Sequence, residues 1–331
     1  MDYNEYIERM RKELQNKMGE DFKIAISQVK KNNGIVLQGI SIIDKANSLS
    51  PTFYLNDQFP AVEDPYNETR IREAAADIIR VYYDHCLSAH VDLGLFKSYQ
   101  KMKDKILFRL INFQKNKDLL SEVPHKRFYD LAMVFYIDVK NDFFENGTIL
   151  LYQTHIQTWN ITLEDLFTAA IINTPRQHPV NIQTMSEIIK ELLEIRIYEK
   201  YGESEKTKIL LRDALAKEYN AIDEKEMMQD GQRYKMYVAG NVQKLYGAAV
   251  MLYPEFIKNF ASEIQADLYI FPSSVHEIII VPAKNGHDRA ELLRMVCEIN
   301  ASQVSPEEVL ADTVYFYQRS LDVLEMITMM V

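Results

Sequence analysis

Apolar positions open the chain at helical spacing: Tyr3, Tyr6, Ile7, Met10, Leu14 and Met18 are separated by acids and bases, which predicts an amphipathic helix ending at Gly19. The period then shortens to two. Phe22, Ile24 and Ile26 alternate with polar residues, Asn32-Asn33-Gly34 supplies turn chemistry, and an apolar pattern resumes from Ile35 to Ile43, so a hairpin is expected. Residues 52–55 are expected to add a third strand to this meander.

Helical intervals return over residues 67–91, with Ile71, Ala75, Ile78, Ile79, Tyr82 and Tyr83, and again near 95–115, with Tyr99, Met102, Ile106, Leu107, Leu110 and Ile111. These two helices are expected to cover one face of the sheet. The β-branched and aromatic run FYDLAMVFYID (128–138) predicts a central strand, and Asn146-Gly147 before TILLY (148–152) predicts its hairpin partner. Thr162 with Asp165 three residues on marks a helix start, and Pro175 marks its end. Helices are predicted near 182–201 and 204–220.

The last part of the chain predicts strands at 234–239 and 245–252 around a turn at Gly240-Asn241, then a helix from Pro254 to Ile264. Strands at 267–271 and 277–281 flank a PSSV turn, followed by a helix at 289–299 and a strand at 313–317. Short turns between strand pairs cannot hold a parallel crossover. The fold class expected is therefore α+β, with antiparallel hairpin-rich sheets, packed helices and two lobes. Residues 199–233 are dense in Lys, Glu and Asp, and their apolar period fades after Tyr219. They divide the chain into an N-terminal lobe (1–198), a charged insertion (199–233) expected to be dispensable for folding, and a C-terminal lobe (234–331).

Charge narrows the partners. A net charge of -10 repels phosphate backbones and anionic headgroups, so general nucleic-acid binding is not expected. No stretch reaches the roughly 18 apolar residues of a membrane span, and the charged opening MDYNEYIERMRKELQ lacks an apolar leader core. A cytoplasmic setting is expected, with Cys86 and Cys297 reduced. The 20 Tyr and 15 Phe against one Trp suit half-buried faces where a ring is covered and its hydroxyl stays wet.

The most chemical-looking stretch is PSSVHE, residues 272–277, where Ser273, Ser274, His276 and Glu277 crowd a turn between two apolar strands. They are the catalytic candidates, since nucleophilic catalysis needs a hydroxyl oriented by a base. The structural alternative is a chain reversal whose hydroxyls bond local backbone. His276 and Glu277 are neighbours that would face opposite sides of a strand, and no nucleophile elbow accompanies the serines. Loop residues His125, Lys126 and Arg127, together with Arg176 after Thr174-Pro175, are candidates for binding an anion; the ordinary alternatives are a turn and a helix stop. His85, Cys86 and His90 fall short of the about four ligands that zinc takes, so no metal site is expected. No phosphate-cradling glycine loop is present, and no cofactor is expected.

The segments LINFQKNKDLLSEVPHKRFYDLAMVFYI (110–137), TWNITLEDLFTAAIINTPR (158–176), YGAAVMLYP (246–254) and DLYIFPSSVHEIIIVPA (267–283) together resemble an uncharacterised bacterial family, a domain of unknown function of the DUF5688 type. The resemblance spans nearly the whole chain outside 199–233 and implies kinship and a bacterial cytosolic setting, with no assigned reaction. The leading expectation is a non-enzymatic cytosolic protein of bacterial or mobile-element origin that binds another macromolecule, most plainly a protein. The alternative is an enzyme of unknown class, such as a hydrolase using the PSSVHE turn. A third reading is an acidic protein that competes with nucleic acid for basic partners. The sequence leaves the oligomeric state open.

Overall fold

The opening helix forms where the apolar spacing demands it. In the computed structural model, which describes residues 3–44, 52–55, 68–85, 98–138, 147–202, 236–283, 293–294, 297–298, 300–302 and 304–327, α1 (Tyr3–Met18) buries Tyr6, Ile7, Met10, Leu14 and Met18. Strands β1 (Phe22–Lys30) and β2 (Val36–Asp44) pair antiparallel from Phe22↔Asp44 to Lys30↔Val36. Between them Asn33 takes the left-handed conformation, φ 60°, which Asn tolerates better than most side chains. Strand β3 (Thr52–Tyr54) completes the meander on β2. Helix α2 (Glu68–His85) adds Ile71, Ala75, Ile78 and Tyr82 to the core of α1 and the meander.

The second predicted helix, near 95–115, is corrected. Only α3 (Tyr99–Met102) and a 3-10 turn, Lys103–Lys105, are helical there, and β4 (Ile106–Asn112) follows as a strand. Six of its seven residues are buried. A strand covered on both faces carries a continuous apolar run that periodicity does not separate from a buried helix.

After α4 (Lys117–Leu120), β5 (His125–Phe128) and β6 (Leu131–Asp138) form a tight antiparallel hairpin, and β7 (Thr148–Leu150) pairs with the end of β6 as expected. The sheet order is β4-β6-β5, with β7 on β6.

Helix α5 (Gln153–Trp159) precedes α6 (Leu163–Gln177). At the start of α6, Thr162 and Asp165 cap each other: the Thr162 amide donates to the Asp165 carboxylate at 2.8 Å and the Asp165 amide to the Thr162 hydroxyl at 3.2 Å. Pro175 does not stop this helix, which runs on to Gln177. A proline in the last turn forfeits one backbone bond, and the neighbouring Thr174 hydroxyl is tied to the Ala170 carbonyl at 2.7 Å and the Phe108 amide at 3.1 Å.

Strand β8 (Val180–Thr184) occupies what was read as the beginning of a helix. The helix, α7 (Met185–Tyr201), starts only at a second capping box, Thr184 with Glu187. Strand β9 (Tyr237–Asn241) overlaps its predicted place but includes Gly240 and Asn241, expected as a turn and instead paired with Asn181 and Val180, and its predicted partner at 245–252 is a 3-10 helix, Gly247–Leu252. The Gly-Ala-Ala at its start is poor strand material. Helix α8 (Phe256–Ile264), β10 (Leu268–Phe271), β11 (Ile278–Pro282) and β12 (Val314–Gln318) match their predicted places, and β13 (Val323–Ile327) was not foreseen. These strands form one six-stranded antiparallel sheet, β13-β12-β10-β11-β9-β8.

The fold is α+β with antiparallel sheets. By contacts the chain divides into two compact units: residues 1–107, 115–124 and 135–169, and residues 108–114, 125–134 and 170–331. Within the second unit the β5–β6 turn is pinned to β12. Asp130 accepts hydrogen bonds from Thr313 Oγ1 at 2.8 Å and from the hydroxyl of Tyr315. Burial and the adjacent Asp130 carboxylate push the Tyr315 phenol far up, so it remains a donor.

Most of the charged insertion lies outside the described residues, but the elements around it constrain its removal. The Met185 amide, at the start of α7, donates to the Met236 carbonyl at 3.0 Å. The chain leaving α7 at Tyr201 must therefore return the length of a 17-residue helix, about 25 Å. Joining residue 198 directly to 234 would unwind α7. Replacing 203–235 by a Gly/Ser linker of about 15 residues is expected to preserve a single cooperative thermal transition; loss of cooperativity in that variant would place the insertion in the core.

Candidate functional site

Residues 272–276 reverse the chain between β10 and β11, and their backbone groups leave the ladder for two other segments. The Val275 amide donates to the Glu308 carbonyl at 2.8 Å, the Leu310 amide to the Ser273 carbonyl at 2.9 Å, and the Ala311 amide to the Pro272 carbonyl at 2.9 Å, around a bridge between Ser274 and Val309. On another side the Ala248 amide donates to the Val275 carbonyl at 3.3 Å. Buried backbone polar groups need such partners.

Both ring nitrogens of His276 have a polar neighbour, one of them hydrogen-bonded. Nδ1 accepts from the Tyr246 amide at 3.3 Å, and Nε2 lies 3.5 Å from Glu308 Oε1. The imidazole stacks on the Tyr246 ring, with centroids 5.9 Å apart and planes 11° from parallel, and the Arg109 guanidinium lies 4.4 Å from the same Tyr246 ring. Tyr246 itself has φ 53°. That conformation costs of order 1 kcal/mol for a residue with a side chain, and the cation over its face returns about 0.5–1 kcal/mol.

Ser273 and Ser274 are buried. The Ser274 hydroxyl accepts from the backbone amide of His276 at 3.1 Å, which is local turn satisfaction. The imidazole hydrogen-bonds to no Ser hydroxyl. An acid does approach the ring, Glu308 from a distant segment, but it stands where a nucleophile's proton would have to arrive.

A groove of about 160 Å³ opens beside this turn. Asn181 and Gln183 of β8, Ile188, Leu192 and Ile195 of α7, and His276 and Glu277 contribute to its lining, with Glu191 and Lys244. His276 and Glu277 share it, contrary to the expectation of opposite faces, because residues 275–276 bend and β11 begins only at Ile278. Leu192 and Ile195 are 52% and 53% exposed. With Ile188 they stand at i, i+4 and i+7, a helical stripe left uncovered on the groove side.

The other candidates lie elsewhere. His125 and Arg127, two apart on β5, both reach Phe113: the imidazole at 6.1 Å between centroids and the guanidinium at 4.3 Å from the ring. Arg127 also donates to the Tyr129 carbonyl at 2.8 Å. Lys126, between them, takes the opposite side of the strand. Arg176 donates to Asn173 Oδ1 at 3.2 Å at the end of α6. Arg109, Tyr246 and Glu308 were missed in the sequence. Arg109 is the lone charge in an apolar run and so stood out only once that run was a strand. Among the described residues no group of three or more His, Cys, Asp or Glu is arranged to hold a metal ion, and no helix is long and apolar enough to cross a membrane. Cys86 and His90 lie outside the described residues.

The second unit thus defines an antiparallel-sheet protein whose edge carries a half-apolar, acid-rimmed groove. The chain belongs to a family of unknown function, DUF5688, whose model matches residues 3–319. No curated protein and no solved structure matches it.

Two glycines let the turn approach. A Cβ on Gly247 would stand 2.3 Å from the His276 carbonyl oxygen and 2.8 Å from the Asn241 amide nitrogen, both backbone atoms; on Gly240 the nearest atom is the same carbonyl at 3.2 Å. Gly247→Ala is expected to cost about 3 kcal/mol and Gly240→Ala about 1 kcal/mol in chemical denaturation. Equal and small losses would show that the turn is not clamped there.

Proposed function

We propose that this is a non-enzymatic cytoplasmic protein of bacterial origin that works by binding another protein through the groove between α7, β8 and the 272–277 turn. The observation that carries the proposal is the exposure of Leu192 and Ile195, in line with half-buried Ile188, on a groove rimmed by ionic side chains. Half-exposed Leu and Ile side chains are unfavourable in water, and covering each by a partner returns roughly 1 kcal/mol. An apolar floor with a charged rim is the ordinary anatomy of a protein interface. The setting in the bacterial cytosol rests on the family resemblance and the acidic composition.

A hydrolase built on PSSVHE draws less support. Its base would need a free nitrogen beside a hydroxyl, whereas Nδ1 of His276 is taken by the Tyr246 amide and Nε2 faces a carboxylate.

The test is a random peptide-display library panned on the intact protein and on Leu192→Asp. Peptides enriched on the parent are expected to bind the variant at least about tenfold more weakly, a change of about 1.4 kcal/mol, with an unchanged melting temperature. No enrichment, or equal binding to both proteins, would overturn the proposal.

A further inference from the structure

Strand β8 is the last strand of its sheet, and among the described residues no strand pairs with its outer edge. The β8–β9 register pairs Val180 with Asn241, Ile182 with Ala239 and Thr184 with Tyr237. Bonds at the two ends set the phase of that ladder: the Val242 amide donates to the Pro179 carbonyl at 3.1 Å and the Met185 amide to the Met236 carbonyl at 3.0 Å. Hydrogen-bonded pairs alternate along an antiparallel ladder. Asn181 and Gln183 therefore direct their backbone groups toward β9, and Val180 and Ile182 direct theirs away from it. Thr184 faces outward too, but its amide is taken by Glu187 Oε2 at 2.7 Å. Among the described residues the amide and carbonyl groups of Val180 and Ile182 have no backbone partner across that edge.

The two faces of β8 offer different surroundings. Asn181 and Gln183 line the groove already described, where, among the described residues, the lining carries two carboxylates, Glu191 and Glu277, against one ammonium, Lys244. Val180 and Ile182 line a separate concavity of about 480 Å³, together with Tyr253, Phe256 and Phe260. A strand laid along β8 would place alternate side chains on alternate faces.

We infer that β8 is a docking edge for an extended peptide segment of a partner protein, which adds to the sheet as an antiparallel strand. Its apolar residues sit opposite Val180 and Ile182, above the Phe256–Phe260 concavity, and its basic residues sit opposite Asn181 and Gln183, above Glu191 and Glu277. Main-chain bonds to an open edge provide the attachment and alternate pockets provide the selectivity. The inference rests on the protein-binding proposal and names the mode and chemistry of the partner. Exposed edges are ordinarily blunted by charge, proline or a covering element, and β8, with sequence Val-Asn-Ile-Gln-Thr, carries neither charge nor proline.

The probe is a fluorescently labelled synthetic peptide of alternating valine and lysine, about seven residues long, titrated into the full-length protein by anisotropy. Three variants accompany it: glutamate in place of lysine, backbone N-methylation at the valines, and backbone N-methylation at the lysines. In the proposed register the valine amides face β8 and the lysine amides face solvent. The expected result is binding by the parent peptide and by the lysine-methylated form, at least about tenfold loss for the valine-methylated form, and no binding by the glutamate form. Amide exchange at Val180 and Ile182 slows when the parent peptide is bound. Absence of binding, or binding that ignores the position of the methyl groups and leaves those two amides unprotected, overturns strand addition. A display library that yields no Leu192-dependent peptides would instead overturn the protein-binding proposal on which it stands.

Discussion

The hydrogen bonds of residues 272–276 to two distant segments are the constraint on which the second unit depends. A two-strand hairpin satisfies its own turn, but here the carbonyls of Pro272 and Ser273 and the amide of Val275 bond to residues 308–311, and the Val275 carbonyl bonds to Ala248. Three stretches far apart in sequence thus meet at one reversal. Each bond is worth only about 1 kcal/mol net, but leaving its buried partner unmade costs about 1–3 kcal/mol, so the segments are held together by what their separation would expose. Gly247 permits this convergence, since any side chain there would enter the His276 carbonyl.

That convergence also shapes the groove. Because the 3-10 segment Gly247–Leu252 lies against the turn, Tyr246 is brought to the face of His276 and Arg109 to the face of Tyr246. The imidazole is one member of a stack, fixed by an amide on one nitrogen and a carboxylate near the other. A side chain held in this way serves as a wall. Beside it, α7 presents Leu192 and Ile195 to water and β8 is the last strand of its sheet among the described residues. Hydrogen-bonded backbone on one side and exposed apolar side chains on the other are the features on which the proposal of a bound partner rests.

Much of this was legible from residue patterns, for reasons that differ from element to element. The helix at the start of the chain and the hairpin after it carry clean periods of about 3.6 and 2, and the strands on either side of PSSV carry β-branched runs bounded by turn residues, so each formed where expected. Residues 106–112 were misread because full burial erases alternation. Residues 245–252 were misread because an apolar run says nothing about the backbone approach that forced a 3-10 turn. At the site, the turn could be found from its composition, whereas Tyr246 and Glu308 reach His276 from 30 and 32 residues away and Arg109 reaches Tyr246 from 137 residues away, and no local signal encodes such meetings. The place of β8 at the end of the described sheet has no local signal for the same reason, since it is a property of the sheet order.

The central claim is that His276 is a fixed structural side chain and not a base awaiting a substrate, and the tautomer of its imidazole tests it most directly. An amide proton donated to Nδ1 requires that nitrogen to be bare, so the neutral ring must carry its proton on Nε2. Nitrogen-15 NMR of the imidazole, with His276 assigned by comparison with His276→Gln, distinguishes the two forms. The account predicts the Nε2–H tautomer, with Nδ1 shifted as an acceptor. A proton on Nδ1 with Nε2 bare would contradict it, because that ring would have broken its bond to Tyr246 and turned an unoccupied base toward the surface.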